Sequence, residues 1–180
     1  GADIGKLFGE AIAKKVDTDI VGLFSSFSSD VGAAATELTA DLLFKAQATL
    51  RLLNVPAPYY GVFNPKAVFN LKKTLTNAGY TTSSNAISEI GNEALRNGYV
   101  GRVAGIDIFE NANIGIDAYA DSIGGVFHPV SLGLAMKADF KIETQRDASL
   151  RGTEIVATVT YGSGVVKSDY GVAITTDSAF

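Results

Sequence analysis

The sequence offers few of the side chains that enzymes use for nucleophilic catalysis or metal binding. Its 180 residues include no Cys and one His, His128, which excludes a disulfide framework, a thiolate metal site, a cysteine nucleophile and a multi-histidine metal site. No Ser lies in the Gly-x-Ser-x-Gly pattern of a nucleophile elbow. Asp17 and Asp19 are two residues apart in a helical pattern, so their carboxylates point to different sides and cannot share a proton. We therefore predict no catalytic, cofactor-binding or metal-binding residues.

Two further features, a glycine-rich segment and the single histidine, are better explained by structural roles than by chemical ones. The glycines of segment 98–105 follow a predicted helix and precede a predicted strand. A nucleotide-binding loop needs the opposite order, because the amide groups at a helix N-terminus must face the phosphate. These glycines are better explained by a strand that starts with close backbone contacts. His128, directly before Pro129, is best explained as a helix N-cap.

Composition narrows the function classes further. The net charge is −4, from 15 basic and 19 acidic residues, whereas a protein that grips nucleic acid through a basic face carries a positive excess. The sequence has no apolar run of about 20 residues, so no membrane span is predicted. It begins at Gly1 inside a periodic pattern, and we expect it to be a trimmed or cleaved piece of a longer chain.

Helices are predicted mainly in the first half and strands mainly in the second. Apolar residues at three- and four-residue spacing predict helices over 4–27, 33–53, 65–75 and 84–97. The first would be about 24 residues and roughly 36 Å long. Strands are predicted over 59–63, 100–109, 125–127, 140–144, 155–161 and 165–174. Pro129 predicts one more helix, through Leu132 and Met136. This order indicates an α+β fold.

The densest group of charged residues connects two predicted strands. Its candidate interface residues are Glu143, Arg146, Asp147, Arg151 and Glu154. One interpretation is a solvated hairpin loop. The other is a subunit interface, in which arginine side chains pair bidentately with carboxylates of a neighbouring copy. The sequence leaves both open.

Several short motifs follow one another along the chain. They are Leu52-Leu53-Asn54-Val55-Pro56, Val62-Phe63-Asn64-Pro65, the stretch from Gly101 to Ile114, Gly125-Val126-Phe127-His128-Pro129, Asp139 to Tyr161, and Tyr170-Gly171-Val172. Taken in order, they resemble the HK97-fold major capsid (coat) protein of tailed bacteriophages, and the stretch from Gly101 to Ile114 is similar to that family's G-x-I-x-G-F-x-V-x-x-S-N strand.

The resemblance implies an HK97-like capsid fold with a long spine helix, a central mixed α/β axial domain and a late antiparallel strand set. It places the spine helix of the peripheral domain at 1–30, the axial domain at 31–137, the peripheral strands at 138–174 and a C-terminal tail at 175–180. We expect the family's N-terminal arm and extended hairpin loop to be absent. A polar loop is expected near the symmetry axis, and its residues are Tyr80, Thr81, Thr82, Ser83 and Ser84.

The resemblance also implies a function. The protein would be a structural subunit that self-assembles, as hexamers and pentamers, into an icosahedral shell enclosing double-stranded DNA by containment. It would reside in the virion after assembly in the host cytoplasm, with portal, scaffolding or decoration proteins as further partners and no membrane. The alternative is an encapsulin-type nanocompartment shell around a cargo enzyme, and a small α+β enzyme domain is the distant alternative.

Charge reversal distinguishes the two interpretations of the charged cluster. Arg146→Glu or Arg151→Glu should leave the subunit folded by circular dichroism but lower the yield of particles on sedimentation. Exposed ion pairs contribute only about 0–1 kcal/mol each, but a shell repeats them at every interface. High salt should weaken wild-type assembly for the same reason. If particle yield and salt dependence stay unchanged in both variants, the cluster is a solvated hairpin.

Overall fold

Three helices and eight strands make up the part of the chain that the computed structural model describes, residues 2–75, 101–143 and 154–179. The helices are α1 (Ala2–Val21), α2 (Ala40–Leu52) and α3 (Pro65–Leu75). The strands are β1 (Ser29–Glu37), β2 (Tyr59–Phe63), β3 (Arg102–Val103), β4 (Ile106–Glu110), β5 (Asp121–Phe127), β6 (Leu132–Glu143), β7 (Glu154–Val165) and β8 (Gly171–Asp177). Short 3-10 turns lie at Phe24–Ser26, Pro129–Ser131 and Ser168–Tyr170.

Six of the strands form one mixed sheet in the order β1-β8-β5-β2-β4-β3. β1 runs parallel to β8 and β2 runs parallel to β4, while the other neighbours are antiparallel. β6 and β7 form a separate antiparallel hairpin. The α+β class predicted from the sequence is confirmed.

The six-stranded sheet has an apolar core on each face. Successive residues of a strand point to opposite faces, and in β5 Val126 belongs to one core while Phe127 packs against the other. The first core contains the buried sides of α2 and α3. The second is built on Phe24 and Phe27, whose ring centroids lie 5.5 Å and 6.1 Å from that of Phe127. The end of α1 and the helices α2 and α3 therefore cover opposite faces of the sheet.

The local signals around Asn64 predicted the structure correctly. The strand ends at Phe63, and the Asn64 side-chain oxygen accepts a hydrogen bond from the Lys66 amide at 2.9 Å, with Pro65 as the first helical residue. The Asn64 amide nitrogen also donates to the carbonyl of Ile114 at 2.8 Å. One residue thus caps α3 and attaches the loop that follows β4.

The prediction of a helix over 33–53 was wrong in its first part. Residues 29–37 form β1, and α2 begins only at Ala40. Gly32 and Ala35 have φ of 82° and 59°, a left-handed conformation that interrupts a right-handed helix. The first helix is also shorter than predicted, since α1 ends at Val21 and a separate 3-10 turn carries Phe24.

The helix predicted through Leu132 and Met136 was wrong. A single 3-10 turn follows His128, and β6 then continues for 12 residues. Apolar residues occupy every second position from Leu132 to Ile142, which is the period of a strand. The strand predicted over 165–174 is interrupted by the turn at Ser168–Tyr170. The helix predicted over 84–97 lies outside the described residues.

Two turns test local predictions from the sequence. Ala104 and Gly105, with φ of 55° and 74°, connect β3 to β4, and two consecutive left-handed residues are typical of a tight hairpin. The single strand predicted over 100–109 is therefore wrong at residues 104–105, where this turn divides it into β3 and β4. The predicted N-cap is confirmed, because Nδ1 of His128 accepts a hydrogen bond from the Val130 amide at 3.1 Å.

The sheet combines strands from both sides of the predicted domain boundaries. β8 begins within residues 138–174, which were expected to be peripheral, and continues to Asp177 in the expected C-terminal tail, yet it pairs with β1 and β5 in the six-stranded sheet. β6 begins at Leu132, before the expected boundary. α1 packs along β7. The division into axial and peripheral domains stays a prediction.

A single carboxylate attaches α1 to the loop after β4. Oδ2 of Asp17 accepts hydrogen bonds from the side-chain amides of Asn111 at 2.7 Å and Asn113 at 2.8 Å. The backbone amide of Asn111 donates a hydrogen bond to the carbonyl of Phe63, at the end of β2, at 2.9 Å. Asp17 therefore fixes the spine helix relative to the sheet.

Gly171→Ala should lower the free energy of unfolding by about 1–3 kcal/mol, as overpacking a core does. A Cβ at this position would overlap the ring of Phe27, which is held among the other aromatic rings of the second core. Gly162→Ala is the matched control, because nothing lies within 4 Å of its added Cβ. Chemical denaturation measures both variants, and equal stability would contradict the packing described for Phe27.

Asp17→Ala should also lower the free energy of unfolding, by about 1–3 kcal/mol, because two partly buried amides lose a charged acceptor. Asp17→Asn should have a smaller effect, since one oxygen acceptor remains. Glu10→Ala provides the control on an exposed site of the same helix and should change stability by less than about 0.5 kcal/mol. Thermal unfolding distinguishes the three variants, and a Glu10→Ala effect as large as that of Asp17→Ala would contradict the attachment.

Candidate assembly surfaces

The structure describes only part of the charged cluster predicted as a subunit interface. Glu143 and Glu154 are the last paired residues of β6 and β7 and lie opposite each other in the register. Arg146, Asp147 and Arg151 lie outside the described residues, as do the predicted axial-loop residues 80–84. The ion-pair interface and the axial loop therefore stay predictions.

The β6–β7 hairpin places Glu143 and Glu154 far from its base. The register runs without a break from Leu132 opposite Val165 to Glu143 opposite Glu154. At about 3.4 Å per residue, the paired segment is roughly 37 Å long. A two-stranded ribbon is marginally stable in water by itself, and within the described residues its main packing partner is α1. The ribbon can present its end to another subunit.

A second candidate surface is an apolar stripe on the outer side of α2. Phe44, Ala48 and Leu52 are spaced four residues apart, so they lie along one side of the helix, and we call them the α2 ridge. Phe44 is 53% exposed and Leu52 is 83% exposed. The opposite side of α2 is buried in the first core. The helix is therefore apolar on two sides, and the described residues of the fold bury only one of them.

Cations border the α2 ridge. Lys45 and Arg51 are exposed, and neither forms an ion pair with a described residue. On α3, by contrast, Lys72 and Lys73 pair with Glu110 at 3.3 Å and Glu37 at 2.7 Å. Leu53, 44% exposed, extends the apolar surface past the end of α2. The end of α2 thus presents a cation and two leucines in consecutive positions.

An open cleft of about 350 Å³ lies on the other side of the sheet, and we call it the spine cleft. Its walls are the end of α1, the loop before β5 and the start of β5. None of the described residues that line it is Lys or Arg. The lining residues are Thr18, Val21, Gly22, Ser25, Asn113, Ile114, Gly115, Asp117, Asp121, Ser122 and Ile123.

The two carboxylates of the spine cleft are held by backbone amides. Oδ1 of Asp117 accepts from the amides of Tyr119 and Asp121, both at 2.9 Å. Oδ1 of Asp121 accepts from the amide of Ala35 at 2.9 Å. Large apolar side chains are exposed in the same region, namely Ile116, Tyr119 and Ile123. The cleft therefore combines fixed negative charge with apolar surface.

The described residues contain no group of three or more His, Cys, Asp or Glu side chains placed to hold a metal ion. No helix in the same ranges is long and apolar enough to span a membrane.

The ring of His128 packs edge-on against Tyr170, with centroids 5.7 Å apart. Its Nδ1 accepts the hydrogen bond from the Val130 amide that forms the N-cap.

Sequence analysis missed both the α2 ridge and the spine cleft. The sequence does contain a signal for the ridge. α2 carries apolar residues on both sides, and so short a helix is not buried on all sides. The cleft had no local signal. Its walls come from residues near 20 and near 117, which only the tertiary structure brings together.

A family model described as a phage capsid protein matches residues 2–175. Among solved structures, one from Mycobacterium phage Che8 is 24% identical, with a TM-score of 0.73 over 95% of this chain and 61% of that one. The capsid of Cyanophage P-SCSP1u is 17% identical, with a TM-score of 0.69 over 99% of this chain and 66% of that one. The mature capsid of bacteriophage PhiM1 is 20% identical, with a TM-score of 0.62 over 97% of this chain and 64% of that one.

The chain spans less than two thirds of the length of each of these capsid chains. No curated protein sequence matches it. The structural similarity identifies the architecture as the HK97-like capsid fold that the motifs had implied. Because the family model covers nearly all of the sequence, the chain belongs to the phage capsid protein family.

Proposed function

We propose that the protein is the major capsid subunit of a tailed phage and that it self-assembles into an icosahedral shell around double-stranded DNA. The observation that carries this proposal is the match of the phage capsid family over residues 2–175. A shell subunit needs extended surfaces that meet several neighbours more than it needs a reactive group. The long β6–β7 hairpin, the exposed α2 ridge and the spine cleft are surfaces of this kind.

Containment explains the charge of the protein better than tight DNA binding does. The net charge of −4 opposes strong attraction to phosphate groups, so a shell of such subunits would hold DNA by enclosing it. The subunits would form hexamers and pentamers and would enter the virion after assembly in the host cytoplasm. Portal, scaffolding and decoration proteins would be further partners of the shell.

We propose that the two parts of the subunit make different contacts in the shell. α1 and the β6–β7 hairpin would form the peripheral domain, where the cluster around Arg146 and Arg151 would meet neighbouring capsomers. The six-stranded sheet with α2 and α3 would form the axial domain, with residues 80–84 near the symmetry axis. The close association of α1 with β7 supports this grouping.

The two alternatives receive less support. An encapsulin-type compartment shares the fold, but the matching family is described as a phage capsid protein and the solved structures reported above come from phages. An enzyme domain would need a convergent set of reactive side chains. Capsid family membership instead favours a structural role without catalysis.

Analysis of assembled particles tests this function. Sedimentation and electron microscopy should show large closed particles or capsomers, and particles from the native source should contain nuclease-protected double-stranded DNA. A defined enzyme inside the particles, without genomic DNA, would instead establish the compartment. A protein that stays monomeric at high concentration and turns over a small substrate would contradict both kinds of shell.

A further inference from the structure

The α2 ridge and the spine cleft complement each other in chemistry. At the end of α2, Arg51 is followed by Leu52, 83% exposed, and Leu53, 44% exposed. The spine cleft offers Val21, Ile114 and Ile123 as apolar walls, with the carboxylates of Asp117 and Asp121 beside them. A cation next to apolar side chains matches an apolar hollow that contains fixed negative charge.

The two surfaces cannot meet within one subunit. α2 packs on the face of the sheet that carries the first core, whereas the cleft is formed by the end of α1 on the face that carries Phe24 and Phe27. A contact between them therefore joins two copies. It uses a different surface on each copy, which makes it heterologous, and heterologous contacts close into rings when the rotation between copies is right.

We propose that the end of α2, with Arg51 and Leu52, inserts into the spine cleft of a neighbouring copy and links the subunits of a capsomer head to tail. This inference rests on the proposed self-assembly and names the contact that performs it. Arg51 faces Asp117 and Asp121 across the interface, while Leu52 contacts the apolar walls. Phe44 and Ala48 continue the contact along the rim, where Ile116 and Tyr119 are exposed.

A second copy fits these surfaces better than nucleic acid does. The described residues that line the cleft include two carboxylates and no Lys or Arg. The cleft therefore repels a phosphate backbone. Two cations border the α2 ridge, but the ridge itself exposes a phenylalanine and a leucine, and covering these side chains with another protein is favourable because it removes apolar surface from water.

Engineered cysteines test the contact directly, because the natural sequence contains none. The test protein carries Leu52→Cys and Gly115→Cys. Position 52 is highly exposed, and nothing lies within 4 Å of a Cβ at position 115, so both changes leave the fold unstrained. A disulfide requires Cα atoms about 4.4–6.8 Å apart, so it forms only if these residues meet across the interface.

The head-to-tail contact predicts a ladder of covalent oligomers. The assembled Leu52→Cys, Gly115→Cys protein is oxidised mildly and separated by electrophoresis without reducing agent. It should give covalent dimers, trimers and larger oligomers up to the number of subunits in the ring. Leu52→Cys alone and Gly115→Cys alone should give no ladder. A matched control combines Leu52→Cys with Gly162→Cys, another open position outside the cleft, and it should give no ladder either.

The outcomes separate this contact from the proposed function. If particles or capsomers form and the Leu52→Cys, Gly115→Cys protein gives no ladder, the contact is wrong while the capsid function stands. If its products stop at the dimer, the interface is isologous and the head-to-tail geometry is overturned. If the wild-type protein in its full-length form never assembles, the proposed function and this contact both fail.

Assembly thresholds give a second readout without cysteine. Leu52→Ser should raise the protein concentration needed for assembly about tenfold or more, because each contact loses a buried leucine. Arg51→Glu should act in the same direction and should be partly compensated by Asp117→Asn, which keeps the side-chain acceptor of the loop but removes its charge. Val166→Ser, at a position that is 65% exposed outside the proposed contact, is the control. An equal effect of Leu52→Ser and Val166→Ser would overturn the contact.

Discussion

The pairing of β8 between β1 and β5 is the interaction on which the rest of the subunit depends. It joins residues 29–37 to residues 171–177, which are more than 130 residues apart in the sequence. Val172 and Ile174 of β8 belong to the first core, and Gly171 lies against the Phe27 ring of the second. Both cores, and therefore the positions of α2 and of the end of α1, depend on this long-range strand pairing.

The second constraint is the attachment of the spine helix, because α1 belongs to two parts of the subunit. Its end covers the sheet through the Phe24–Phe27 segment, and the helix also contacts β7. Asp17, four residues before the end of the helix, is held by two asparagine amides of the loop after β4. A change in the angle of α1 would alter the width of the spine cleft and the direction of the hairpin together. The attachment of one helix thus constrains both.

The sequence predicted those parts of the fold whose signals are local. Asn64 and Pro65 determined where α3 begins, and the alternation along β7 determined a strand. It failed where the backbone conformation depends on a distant partner. Residues 33–36 extend a helical pattern, yet they belong to β1, because β8 pairs with residues 29–32 and 37 on either side of them and Asp121 binds the amide of Ala35. The motifs identified the family, whereas the spine cleft could not be predicted because its walls are separated by about a hundred residues of sequence.

A self-assembling subunit must also prevent contacts that would join copies in the wrong way, and the edges of this sheet meet that need. β1 and β3 are the two edge strands, and an open edge can pair with any other strand. β1 departs from regular pairing between Gly32 and Glu37, and its left-handed residue Ala35 is held by Asp121. β3 has only two residues. Since both edges are poor templates for strand addition, association is directed to side-chain surfaces, where charge and shape can specify one partner orientation.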